Sequence, residues 1–180
     1  MGRIILVTGG ARSGKSDFAL QHGEKLPGSH CFIATCPVVD DEMAARIEKH
    51  RQGRSARIWE TVEEPLAIHE ILVENSHDVY LVDCLTLWIS NLLEQCAAKK
   101  IDCSESFIGT ATEQILRSIE VLDGTVIFVT NEVGMGIVPD NALARRYRDL
   151  VGWCNRLVAE AASEVILVSC GLPLYLKHNE

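Results

Sequence analysis

The sequence predicts an α/β protein with a mainly parallel central sheet flanked by helices, and three observations predict it. Short apolar runs recur along the 180 residues with helix-compatible stretches between them, the alternation expected when parallel strands are joined by crossover helices. Two of the runs, Val79-Tyr80-Leu81-Val82 and Val126-Ile127-Phe128-Val129, lack polar alternation, as central strands covered on both faces do. The first run, Ile4-Ile5-Leu6-Val7-Thr8, feeds a glycine-rich turn and then a helix-compatible stretch over residues 15–25, the strand, loop and helix order of a phosphate-binding turn.

The remaining elements follow from the same reasoning. Strands are expected at residues 4–8, 31–34, 58–61, 79–83, 125–130 and 164–169, with residues 79–82 and 126–129 at the sheet centre. A short helix over residues 40–51 opens with acids and ends in cations, the arrangement a helix dipole favours. Another starts at Leu85. Residues 97–106 are polar and least patterned, predicting a surface loop before a helix over residues 105–122. The clearest helix begins at Pro139-Asp140 and runs to Ala162, with Leu143, Tyr147, Leu150, Val151, Cys154, Leu157, Val158 and Ala161 on one stripe, which is core or a subunit contact. Its other face carries Arg145, Arg146 and Arg148, either solvated or contacting phosphates or a partner.

A chain that is 47% hydrophobic can bury a full core at this length, so residues 1–180 are expected to form one domain. The net charge of −8 argues against a general nucleic-acid or anionic-membrane binder. Seven cysteines with no C-x-x-C spacing indicate reduced thiols rather than a disulfide framework or a zinc site. Met1 leads directly into the first strand and no apolar run reaches spanning length. A cytoplasmic location is expected.

Gly9-Gly10-Ala11-Arg12-Ser13-Gly14-Lys15-Ser16 fits the pattern G-x-x-x-x-G-K-[ST]. The glycines let backbone N–H groups turn inward on an anion, Lys15 supplies a point charge to the β/γ-phosphates of a nucleoside triphosphate, and the Ser16 hydroxyl can ligate Mg²⁺. Such a loop needs a second carboxylate to fix the metal from the other side. Asp83, ending a buried strand, fits that role; it could also cap the following helix. Glu132, after the other central strand, could orient a hydroxyl or water, or belong to a turn. His50 shares a helical face with Ile47 and Met43, as an ordinary half-buried histidine would. It also lies among Arg46, Lys49, Arg51 and Arg54, cations that favour its neutral form and attract phosphates, and a neutral imidazole beside a triphosphate can act as a nucleophile.

With these pieces in place, the chain resembles the bifunctional adenosylcobinamide kinase / adenosylcobinamide-phosphate guanylyltransferase family of the cobalamin pathway. The resemblance is carried by Thr8 to Ser16, Asp40-Asp41-Glu42-Met43 through Arg54, Thr130-Asn131-Glu132-Val133-Gly134-Met135-Gly136-Ile137-Val138-Pro139, and the last long helix with its strand. It implies a P-loop NTPase domain of RecA-like type, a homotrimer with sites near subunit boundaries, and two reactions. Adenosylcobinamide is phosphorylated by ATP or GTP; GMP then passes from GTP to adenosylcobinamide phosphate through a guanylyl-histidine, a role that falls on His50. By position the resemblance assigns nucleotide contacts to Gly9 through Ser16, Ala34, Thr35, Cys36, Arg51, Gln52, Gly53 and Arg54, with Glu63 and Asp83 completing the site. Relatives of this kind often carry Glu where Asp83 stands and Ser where Cys36 stands, and some have a second histidine in place of Lys49. Two rival readings are a small-molecule P-loop kinase without nucleotidyl transfer, and a nucleotide-controlled switch. The switch class reads guanine with Asn-Lys-x-Asp, whereas the comparable strand end here is Asn131-Glu132-Val133-Gly134.

Overall fold

The computed structural model describes residues 2–36, 58–74 and 76–178. Strands β1 (Arg3–Thr8), β2 (His30–Ala34), β3 (Trp59–Glu63), β4 (Val79–Asp83), β5 (Thr125–Val129), β6 (Glu164–Ser169) and β7 (Leu172–His178) form one sheet in the order β3-β2-β4-β5-β1-β6-β7. All neighbours pair in parallel except β6 and β7, which form an antiparallel hairpin. The described helices are α1 (Lys15–Gly23), α2 (Ile68–Glu74), α3 (Leu85–Lys99), α4 (Glu105–Glu120) and α5 (Ala142–Ala161). This is the expected α/β architecture, with β5 in the middle and β4 beside it.

Strand alternation sends the side chains into two cores. Ile4, Leu6, Ile33, Tyr80, Val82, Val126 and Phe128 pack against α2, α3, α4 and α5. Ile5, Val7, Phe32, Leu81, Ile127 and Val129 pack with Ala19 and Leu20 of α1. The central strands have no polar positions because both of their faces are covered. Local chemistry sets the helix ends. Ser104 caps α4 by accepting from the Phe107 N–H at 3.3 Å, and Asn141 caps α5 by accepting from the Leu143 and Ala144 N–H groups at 2.7 and 3.2 Å. The α3 helix stops at Lys100, whose φ of 55° is left-handed.

Several boundaries differ from those expected. Residues 97–99 belong to α3 and Cys103 is buried; Ala97 and Ala98 favour helix, and only the residues after them are mostly polar. The α5 helix begins at Ala142 rather than at Pro139-Asp140, whose carbonyls instead accept from the Arg145 guanidinium at 2.9 and 2.7 Å. Arg146 pairs with Asp102 and Arg148 with Asp149, so these arginines bond to their own protein surface. On the apolar stripe Leu150, Val151, Cys154 and Val158 are buried, while Leu143 is exposed. The β7 strand and the α2 helix escape the sequence reading. All seven β7 residues are exposed, Leu172, Leu174 and Leu176 alternate along it, and Pro173, which argues against a central strand, sits where an edge strand tolerates it.

The two sides of this packing separate in an unfolding experiment. Replacing fully buried Leu81 with alanine removes a central contact and is expected to lower stability by about 2–5 kcal/mol in urea unfolding followed by circular dichroism. Val121→Ala, at a side chain 80% exposed, should stay within about 0.5 kcal/mol of the parent.

Candidate functional site

The loop after β1 is shaped by what its glycines allow. A Cβ on Gly9 would lie 2.4 Å from the Val168 carbonyl oxygen and 2.6 Å from the Ser13 hydroxyl, so the loop backbone rests directly on the end of β6. Gly14 stands at the α1 N-cap with φ 89° and no side-chain cap, a conformation that suits glycine. The first-turn N–H groups of a helix have no intrahelical acceptor, and no capping side chain takes them here, which suits an anion. The Lys15 ammonium folds back over the loop and donates to the Gly10 carbonyl at 3.2 Å.

Two neighbours brace the loop from outside. The Glu132 N–H donates to the Gly9 carbonyl at 3.1 Å, and the Gly171 N–H to the Ser13 carbonyl at 2.8 Å. Gly171 and Cys170 form the two-residue turn of the β6–β7 hairpin with φ 79° and 52°, the positive pair that matches strand twist. Sequence reading missed this brace. Gly171 between the apolar run of β6 and the alternating Leu172, Leu174 and Leu176 was the available signal.

Strand register places the other candidates in one row. Glu63 pairs with Ala34, Ala34 with Asp83, Asp83 with Val129, and Val129 with Val7. These positions are level along the carboxyl edge of the sheet, where an open α/β sheet presents its ligand crevice. At about 4.8 Å per strand, Asp83 lies about 10 Å from Val7, with β5 between them, while Glu63 lies about 19 Å away. Asp83 has the parity of Val79 and Leu81, which pack on the α1 side. It is not the cap of α3; the N-cap is Cys84. Ser16 lies in the first turn of α1. A hydroxyl and a carboxylate are hard oxygen donors, fitting Mg²⁺ held jointly with phosphates; among the described residues no group of three His, Cys, Asp or Glu side chains forms a metal cage.

The crevice floor is held by polar bonds. Glu132 takes the turn role, its carboxylate accepting from the Gly134 N–H at 2.6 Å. Asn155 of α5 accepts from the Thr130 hydroxyl at 2.7 Å and donates to the Asn131 carbonyl at 3.2 Å. The Tyr147 hydroxyl donates to the Thr86 carbonyl at 3.1 Å. Thr35 is fully buried, and Cys36 after it is half-buried. Burial, with the Asp83 charge adding to it, pushes the Cys84 thiol up to about 11. The thiol beside Asp83 is therefore protonated at neutral pH and is no nucleophile. His50, Arg51, Gln52, Gly53 and Arg54 lie outside the described residues.

The family model described as cobinamide kinase / cobinamide phosphate guanyltransferase matches residues 5–176. The chain is 42% identical over 185 residues to the bifunctional adenosylcobalamin biosynthesis protein CobU of Escherichia coli strain K12, covering 97% of this chain and 99% of that one. It is 40% identical over 174 residues to the bifunctional adenosylcobalamin biosynthesis protein CobP of Pseudomonas aeruginosa, covering 96% of each. The CobU protein of Salmonella typhimurium is 39% identical over 185 residues, with 97% of this chain and 99% of that one covered. Among the described residues no helix is long and apolar enough to cross a membrane.

The Gly9 contact yields a direct test. Gly9→Ala should push the loop off β6 and weaken binding of a fluorescent GTP analogue by about tenfold or more, equivalent to ~1.4 kcal/mol. Gly152→Ala, where a Cβ on α5 meets nothing within 4 Å, should leave that affinity unchanged and raise thermal stability slightly.

Proposed function

Because the chain belongs to the cobinamide kinase / cobinamide phosphate guanyltransferase family, a family of bifunctional enzymes of adenosylcobalamin biosynthesis, we propose that one phosphate loop within a single domain serves both of its reactions. The observation that carries this reading is the level row of strand ends, which brings Asp83 to the same sheet edge as the loop after β1. In the first reaction the aminopropanol hydroxyl of adenosylcobinamide attacks the γ-phosphorus of ATP or GTP. An oxygen–phosphorus bond forms, the β,γ bridge breaks, the nucleoside diphosphate leaves, and the hydroxyl proton passes to solvent. The loop N–H groups and Lys15 hold the phosphates in line, and catalysis is mostly positioning and charge stabilisation.

In the second reaction a neutral His50 nitrogen attacks the α-phosphorus of GTP. The nitrogen–phosphorus bond forms as the α,β bridge breaks, and pyrophosphate departs with its charge offset by Lys15. A phosphate oxygen of adenosylcobinamide phosphate then attacks the same phosphorus, the nitrogen–phosphorus bond breaks, and adenosyl-GDP-cobinamide leaves with the imidazole restored. Ser16 and Asp83 would hold Mg²⁺, which neutralises phosphate charge when bound. Glu63, on the far strand of the row, is too distant from the loop for the phosphates and suits the nucleoside end. Ala34 and Cys36, with Arg51, Gln52, Gly53 and Arg54, complete the nucleotide site in this reading, while Thr35 between them is fully buried.

A homotrimer is part of the same proposal, its threefold number coming from the family resemblance. Self-association is supported by exposed Ile137, Leu143, Leu172, Leu174 and Leu176, a large apolar display for an isolated chain. A cytoplasmic location is supported by the nature of the substrates and the seven free cysteines.

The chemistry is tested with α-labelled GTP. Wild type should acquire acid-labile, alkali-stable label, and His50→Ala should lose both the label and guanylyl transfer. Unlabelled wild type would favour the kinase-only reading; a labelled mutant would remove the role from His50. Lys15→Ala should depress both reactions by about 100-fold. Light scattering on a sizing column should give three times the chain mass of 19.9 kDa, and a monomer would refute the assembly.

A further inference from the structure

We propose that Thr35 is a positioning residue, whose side chain braces the Asp83–Cys84 turn and leaves contact with nucleotide to its neighbours. The inference rests on the reading of Asp83 as the carboxylate facing the phosphate loop. Thr35 continues β2 by one residue beyond the Ala34 and Asp83 pair, and its N–H extends the ladder by donating to the Asp83 carbonyl at 3.2 Å. Its hydroxyl does two things at once. It accepts from the Cys84 N–H at 2.7 Å and donates to the Cys84 carbonyl at 2.8 Å. The Thr35 carbonyl accepts from Asn91 of α3 at 2.8 Å, and the same amide nitrogen donates to the Pro65 carbonyl at 3.0 Å.

Every polar group of Thr35 is thus engaged by protein, three of the four bonds going to the two residues at the end of β4. The side chain has no surface exposed, and its single O–H donor is committed to the Cys84 carbonyl. The bonded turn is the one that aims the Asp83 carboxylate, and Asn91 ties it to the end of the β3 segment that carries Glu63. One hydroxyl therefore couples the ends of β2 and β4, while one buried amide couples α3 to the turn after β3. Displacements of about 1 Å in such a site cost on the order of 100-fold in rate. Both reactions should feel the loss, since both use the same loop and carboxylate.

The test compares Thr35→Val, Thr35→Ser, Asn91→Leu and Asp83→Asn in the full-length enzyme, with folding checked by circular dichroism at the assay temperature. Thr35→Val should lower kcat of both reactions by about 10- to 100-fold while the Kd for a non-hydrolysable GTP analogue stays within about threefold. Thr35→Ser, which keeps the hydroxyl, should recover kcat to within about threefold of wild type, and Asn91→Leu should lower kcat about fivefold or more with the same unchanged Kd. A folded Thr35→Val enzyme with wild-type kcat overturns the brace, as does a Kd that worsens in step with kcat, the mark of a direct contact. Should Thr35→Val not fold, wild-type kcat in Asn91→Leu overturns it. Full activity of Asp83→Asn overturns both the brace and the reading of Asp83; an impaired Asp83→Asn beside an intact Thr35→Val overturns the brace alone.

Discussion

The in-register parallel ladder from β3 to β1 is the constraint on which the rest of the molecule depends. Hydrogen bonding in a parallel sheet fixes which residues stand opposite one another, and in this protein it brings Glu63, Ala34, Asp83, Val129 and Val7 to one level. Each strand then gives way to a loop at the same edge. Residues far apart in the chain, such as Thr8 and Asp83, are held at one edge because a slip of a single position would exchange every side chain between the two cores. The apolar faces that resist such a slip are those of β4 and β5, both sealed between helices.

The crevice is built from backbone at its centre and side chains at its margins. The phosphate loop lies so close to β6 that a methyl group at Gly9 has no space, and its carbonyls are held by the backbone N–H groups of Glu132 and Gly171. A loop held in place in this way presents its dipoles without reorganisation, which is the source of their strength toward anions. Further along the row, Thr35 and Asn91 satisfy the backbone at the ends of β2 and β4 and after β3. These buried polar groups are costly unless fully paired, and they are paired.

What was legible in advance follows from how each feature is encoded. The β4 and β5 strands announce themselves through unbroken apolar runs, and the phosphate loop through glycines and a lysine at fixed spacing. Asp83 was legible because it ends such a run. By contrast, β7 is exposed along its whole length, and its Pro173 breaks what the alternating Leu172, Leu174 and Leu176 would otherwise announce. The end of α3 read as loop because the residues at and beyond its end, Lys99-Lys100-Ile101-Asp102, are mostly polar, although the helix continues through Lys99. Arg145 and Arg146 read in the sequence as either solvated or contacting phosphates or a partner; tertiary contacts with the Pro139 and Asp140 carbonyls and with Asp102 occupy them.

By itself the sequence determined the α/β class, the loop pattern G-x-x-x-x-G-K-[ST] and the family, because these depend on local patterns and on residues in order along the chain. Only the tertiary structure decided that β5 separates the loop strand from the strand of Asp83, that Glu63 stands about four strand spacings, ~19 Å, from the loop, and that the Thr35 hydroxyl turns toward Cys84. Strand order and hydrogen-bond partnership are properties of the closed sheet. A threonine at the end of an apolar run can face a ligand or its own backbone with equal local propensity, and the neighbouring strand settles which.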